Sequence, residues 1–203
     1  MRQGLFFYVK GCEMDTATFR ATIMDESAMQ RAITRIAHEV LERNEGSDNL
    51  AILGIIRRGE VLAQMLAQAI EKIEGKRPPM GSLDISFYRD DYSRRIAPVV
   101  QATNIPFNVD GKDIVLVDDV LYTGRTIRAA LDATMDYGRA ATIQLAVMID
   151  RGHRELPIRA DYVGKNVPSS KQEDVRVCVE SVDGHNAVEI WEKTEAAEEE
   201  RED

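Results

Sequence analysis

Apolar positions along the chain alternate between two periods, and that alternation outlines an α/β domain. Met29, Ile33, Ile36, Ala37, Val40 and Leu41 recur at helical spacing, behind Asp25 as a capping side chain and ahead of a polar break at 44–46. Residues 50–56 form instead a short continuous apolar run, the pattern of a strand buried on both faces, and 61–73 return to the helical period. Residues 83–88 alternate as a strand, whereas 89–104 are polar, charged and interrupted by Pro98, as in a loop. Ile114 to Val117 is a second buried run, with helix formers from Arg125 through Leu131, and 142–149 is a third. Short strand patterns follow near 161–164, 175–179 and 187–191. Such an order predicts a central, mostly parallel sheet with helices on both faces, plus a small hood of short strands. Its functional site belongs at the carboxyl ends of the strands, where Ile56, Asp119 and Ile149 run out into loops.

The ends of the chain read differently. Residues 1–22 show no convincing period and are expected to be a loose extension, with Met14 as an alternative start; 23–191 form the domain. Residues 192–203 carry seven acids against Lys193 and Arg201, so about half of the net charge of −9 lies in an acidic segment expected to be solvated and disordered. An acidic total ordinarily argues against nucleic acid, but removing the tail leaves a body of only −4, on which local basic patches still matter. The two cysteines, Cys12 and Cys178, fit no metal-ligand or redox spacing, which together with the lack of a long apolar run points to a reducing cytoplasm and no membrane.

The chemistry concentrates in one string, Asp113-Ile-Val-Leu-Val-Asp-Asp-Val-Leu-Tyr-Thr-Gly-Arg-Thr-Ile-Arg128. A buried strand here runs into a turn that opens a helix. Thr123, Gly124, Arg125 and Thr126 can offer backbone N–H groups and two hydroxyls to a phosphate, where the helix dipole contributes about half a positive charge. Asp118 and Asp119, at the strand end, can accept hydrogen bonds from ribose hydroxyls. Neither G-x-x-x-x-G-K-[ST] nor G-x-G-x-x-G occurs in the chain, so the common nucleotide motifs do not account for this turn. Gly54-Ile-Ile-Arg-Arg-Gly-Glu60 has the same strand-to-turn form and suits a second anion, through Arg57, Arg58 and the tight backbone that Gly59 permits. Of the two arginines, Arg58 is the expected ligand.

At the first string the chain resembles the type I phosphoribosyltransferases, whose signature for phosphoribosyl pyrophosphate (PRPP) is an apolar strand, two acids and a Thr-Gly turn. The resemblance implies that Asp118, Asp119, Val120, Leu121, Tyr122, Thr123, Gly124, Arg125 and Thr126 hold PRPP or its product, and that Arg57, Arg58 and Gly59 form a pyrophosphate loop. Many relatives carry Lys-Thr-Arg-Gly where this chain has Ile56-Arg-Arg-Gly59. Hypoxanthine-type enzymes usually place an Asp at the position of Tyr122, which weakens a purine reading.

Further strings, Leu83-Asp-Ile-Ser-Phe-Tyr-Arg-Asp-Asp91, Gln144-Leu-Ala-Val147 and Ala160-Asp-Tyr-Val-Gly-Lys-Asn-Val-Pro168, resemble the PyrR family of pyrimidine-operon attenuators and uracil phosphoribosyltransferases, from about Met24 to Trp191. That family implies uracil and PRPP as substrates, UMP as product and effector, magnesium carried by PRPP, and leader RNA of pyrimidine operons as partner. It further implies Arg151 and the backbone near Val175 beside uracil, 89–104 as a cover over PRPP, and a homodimer or larger homo-oligomer. Thr34, His38, Arg154, Arg159 and Lys165 match its RNA-binding positions. Two alternatives stay open at this point: a uracil salvage enzyme without RNA regulation, and a purine phosphoribosyltransferase.

Overall fold

A computed structural model describes residues 9–10, 13–14, 17–88 and 102–193 of the 203-residue chain. The elements run β1 (Val9–Lys10), β2 (Glu13–Met14), β3 (Ala17–Met24), α1 (Glu26–Arg43), β4 (Leu50–Ile55), α2 (Arg58–Glu74), β5 (Met80–Leu83) and β6 (Asp113–Leu121), then α3 (Arg125–Met135), β7 (Thr142–Asp150), β8 (Tyr162–Asn166), β9 (Glu173–Cys178), α4 (Glu180–Asp183) and β10 (Ala187–Lys193). Five strands make a parallel sheet in the order β5-β4-β6-β7-β8, while β3-β10-β9 form a separate antiparallel sheet, the hood. Among the described residues, β1 and β2 pair only with each other.

The patterns explain the layers. Asp25 accepts the Ala28 N–H at 2.7 Å and starts α1 as its position suggested. Every residue of β4 is buried, since helices cover both faces. Val115 and Val117 of β6 pack into the core under α1 and α2 with Leu62, Leu66 and Ile70, whereas Ile114 and Leu116 face α3 through Ile127, Ala130 and Ala133. Each fully buried aliphatic side chain stabilises the domain by about 2 kcal/mol. Beyond Val117 the alternation inverts: Val120 packs with the α1–α2 core and Leu121 with the α3 core. The inversion falls across Asp118 and Asp119.

Three boundaries differ from the expectations. Residues 17–22 are part of β3 and pair with β10 instead of belonging to a loose extension; most of the strand is exposed, so burial imposes no two-residue period on it. Residues 84–88 do not continue a strand, because the Asp84 carboxylate accepts the Ser86 N–H at 2.8 Å and turns the chain after Leu83. β10 includes Glu192 and Lys193, the first two residues assigned to the acidic segment, paired with β3 and, at Glu192, also with β9. Of the loop expected over PRPP, 89–101 lie outside the described residues, and Asn104 exchanges backbone hydrogen bonds with Ser82 at 2.9 Å in each direction.

Candidate active site

The start of α2 packs against the end of β6. α2 starts with Arg58 and Gly59 pressed against β6: a Cβ on Gly59 would lie 2.5 Å from the Val117 carbonyl oxygen and 3.2 Å from Asp118 Cα. Only glycine allows this approach, and it sets the Arg57–Gly59 turn beside the paired acids. Asp118 is buried, its Oδ1 accepting the Asp119 N–H at 2.9 Å; the half-buried Asp119 accepts the Val120 N–H at 2.7 Å. Both carboxylates are thereby oriented by the backbone at the end of β6.

The turn that follows has the geometry of a cradle. Gly124 adopts φ +93°, a left-handed conformation that costs glycine nothing, and α3 begins immediately after it. The first helical hydrogen bond runs from Arg128 N–H to Gly124 C=O at 2.9 Å, so the amides of Thr126 and Ile127 precede the helical ladder and have no acceptor within it. The cleft has a volume of about 380 Å³ and is lined by Val120 through Ile127 and by Glu155. Thr123 and Thr126 are half-buried there, and Thr123 Oγ1 accepts the Arg125 N–H at 3.4 Å. Arg125 pairs outward with Glu155 at 2.7 Å.

Residues 150–158 brace the cradle from behind. The Glu155 and Leu156 N–H groups donate to the Thr123 carbonyl at 3.0 and 3.2 Å. The Arg154 guanidinium donates to the carbonyls of Tyr122 at 2.7 Å, Gly152 at 3.1 Å and Ile158 at 2.9 Å, and pairs with Asp150. Arg154, one of the residues expected to contact RNA, thus also supports this turn from within.

Arg151 is buried and lies over Tyr122, its guanidinium carbon 4.2 Å from the ring centre. Its Nε donates to Ser169 Oγ at 2.9 Å, and Nη2 to the carbonyls of Ser170 and Glu173 at 3.1 and 2.6 Å. This fastens the end of β7 to the start of β9, two residues before the buried Val175, so the two residues expected beside the base occupy one region. The position of Tyr122 is filled by a ring stacked on arginine and edge-on to His153 at 5.7 Å.

The arginines of the second turn diverge. Arg57 is exposed. Arg58 reaches the hood instead, donating through Nε and Nη2 to both oxygens of Asp183 at 3.0 and 2.6 Å. Burial works against the Asp183 carboxylate, but hydrogen bonds from Arg58 and the Val179 N–H outweigh it and hold its pKa below the ordinary range. The preference for Arg58 over Arg57 as the anion ligand therefore has a competitor that sequence reasoning missed. Asp183 lies 125 positions away, and nothing local marks it.

A phosphoribosyl transferase domain model matches residues 20–181. The chain is 58% identical over 177 residues to a bifunctional protein PyrR from Pelotomaculum thermopropionicum, covering 87% of this chain and 98% of that protein. It is 61% identical over 172 residues to the bifunctional protein PyrR of Acetivibrio thermocellus, covering 84% and 94%. The chain belongs to the PyrR family. Among solved structures, the PyrR-family chain superimposes on a hypoxanthine phosphoribosyltransferase of Trypanosoma cruzi with a TM-score of 0.67 over 87% of this chain and 98% of that one; at 16% identity this is a likeness of fold alone.

Of the positions expected to contact RNA, Thr34 and His38 are exposed on α1. Between them Arg35 donates to the carbonyls of Val163 and Gly164 at 2.9 and 2.8 Å, which joins that helix face to exposed Lys165 on β8, the edge strand. Arg159 is exposed after the loop that braces the cradle. Thr34, His38 and Lys165 lie on the α1 and β8 side, and the Arg154 guanidinium is directed to the carbonyls around the turn after β6.

Proposed function

We propose that this chain makes UMP and pyrophosphate from uracil and PRPP, and that UMP promotes its binding to leader mRNA of pyrimidine biosynthesis genes, attenuating transcription. The observation that carries this reading is the cradle at the end of β6, with two carboxylates, a left-handed glycine and open amides at the start of α3, in a chain of PyrR-family sequence. The amides and hydroxyls from Thr123 to Thr126 hold the 5′-phosphate, and Asp118 and Asp119 accept the ribose hydroxyls. Exposed Arg57 meets the pyrophosphate. Arg151, fixed over Tyr122, and the backbone near Val175 border the uracil.

Chemically, the C1–pyrophosphate bond breaks through an oxocarbenium-like centre that N1 of uracil captures. The chain contributes position and electrostatics, with no protein nucleophile. Asp118 and Asp119 are hard oxygen donors, each already accepting a backbone N–H, which fits a magnesium ion carried on PRPP oxygens and water more than a protein cage. When bound, magnesium neutralises the leaving pyrophosphate. Thr34, His38, Arg159 and Lys165 are proposed to face RNA, with cationic groups for phosphates and polar groups for unpaired bases. Cytoplasmic action and a homo-oligomeric state belong to the same reading.

The test is UMP formation from uracil and PRPP with magnesium, run beside binding of a pyrimidine-leader hairpin with and without UMP. Thr126→Ala should raise KM for PRPP at least tenfold. Absence of UMP synthesis removes the enzymatic half of the reading; RNA affinity indifferent to UMP removes the regulatory half.

A further inference from the structure

Away from the PRPP cleft, the hood brings Cys178, His185 and Glu189 together, with a ligand atom of each within 4.8 Å of the others. The topology explains how. Cys178 ends β9 opposite Ala187 of β10, and Glu189 lies two residues further along β10, so both side chains rise from one face of the antiparallel pair. His185 comes from the intervening turn, immediately after Gly184 ends α4 in the left-handed conformation. Cys178 is buried and Glu189 nearly so, whereas His185 is half-exposed and leaves an approach from solvent.

Hydrogen bonding around the cluster resembles the outer shell of a metal site. His185 Nδ1 lies 3.2 Å from the Asp183 carbonyl, to which it can act only as a donor. A neutral ring held this way presents the Nε2 lone pair to Glu189 Oε1, 3.2 Å away. In that tautomer two acceptors face each other, and either a proton on Nε2, which makes the pair an ion pair, or a bound cation makes the contact attractive. Trp191 Nε1–H donates to Glu189 Oε2 at 2.8 Å and orients the carboxylate, and Cys178 Sγ lies 4.0 Å from the same oxygen. Ligand bonds of about 2.0–2.3 Å in a tetrahedral site put donor atoms roughly 3.3–3.6 Å apart, so the three donors, which lie within 4.8 Å of one another, close by up to about 1 Å around a cation. A backbone carbonyl behind the histidine and an indole behind the carboxylate are the kind of support that fixes ligand orientation.

We propose that Cys178, His185 and Glu189 form a binding site for a thiophilic divalent cation of the zinc class, with water in the fourth position. The thiolate selects against magnesium, and the mixture of sulfur, nitrogen and oxygen donors suits zinc. Without the metal the thiol is protonated, since burial, then the neighbouring Glu189 and Asp183, push its pKa up to about 11; metal binding releases that proton to solvent. The bound cation ties the turn between β9 and β10 back onto the strands from which it springs.

The experiment uses the full chain stripped with a chelator and titrated with cobalt(II), then with zinc. A one-to-one complex with a thiolate-to-cobalt charge-transfer band, displaced by zinc, is expected. Cys178→Ser, which retains Cys12, should abolish the band, and His185→Ala, at an exposed turn position, should lower affinity at least tenfold while leaving the fold intact. UMP formation by the stripped His185→Ala chain serves as an independent check of folding. Absence of a one-to-one complex, a cobalt complex lacking the band, or a band that persists in Cys178→Ser overturns the proposal.

Discussion

The turn after β6 and the turn after β4 are both strand ends that open a helix, yet as proposed anion sites they are built in opposite ways. At 122–126 the chain presents backbone: a left-handed glycine, the open amides of α3 and two threonines, braced by Arg154 bonds to the surrounding carbonyls. At 56–59 it presents side chains, and one of the two arginines is already bound to a carboxylate of the hood. A backbone site is complete once the turn forms. A site made of long cations depends on which competing anion each cation finds, so the second turn is tied to the hood in a way the first is not.

The sharpest way to break the pair of turns is where the second of them presses on the strand that carries the first. Gly59→Val places its side chain where a Cβ alone already meets the Val117 carbonyl at 2.5 Å, and α2 must then lift from β6. Overpacking against rigid backbone at the centre of the sheet should cost about 4 kcal/mol, seen as a large fall in the midpoint of denaturant unfolding. A variant with unchanged midpoint would show that α2 is not pressed against β6 at this point.

What the sequence revealed of the two turns follows the same division. The β6 string was legible because everything it needs is local: apolar β-branched residues, two acids, Thr-Gly and a helix. Its bracing was only partly legible. Asp150 ends β7 much as Asp119 stands near the end of β6, but nothing in the sequence says that it pairs with Arg154 or that this arginine points inward. The inversion of the strand at Asp118–Asp119 was hidden for another reason, since a continuous apolar run carries no period in which a reversal would register. Arg58–Asp183 joins elements 125 residues apart, and β3 carries little burial to stamp an alternation on its residues.

Arg154 and Arg159 next separate bracing from surface chemistry. Arg154→Ala leaves Asp150, largely buried, without its guanidinium and the carbonyls of Tyr122 and Ile158 without that donor. The loss should be about 3 kcal/mol, and UMP synthesis should fall with it as the phosphate turn loosens. Arg159→Ala removes an exposed cation, so stability and UMP synthesis should hold while RNA affinity falls and its dependence on salt becomes shallower. Stability curves, UMP formation and RNA titrations at two salt concentrations on the same two variants decide the matter. Equal behaviour of the two variants in all three would cancel the distinction between brace and surface.

The smallest effect is the most informative about the second turn. The Asp183 carboxyl, held below its ordinary pKa, contributes stability that is complete above the unfolded Asp range near the reference value of 3.8 and is lost as pH falls through the lower folded value. Asp183→Asn removes that contribution, so wild type and variant should differ by about 1 kcal/mol at neutral pH and converge below pH 4. The same variant releases Arg58 from an anionic competitor beside the proposed pyrophosphate site. If the two compete for that guanidinium, KM for PRPP should fall while kcat changes little. Should KM rise instead, Asp183 is positioning Arg58 for the substrate, and the tie to the hood belongs to the binding geometry of the turn.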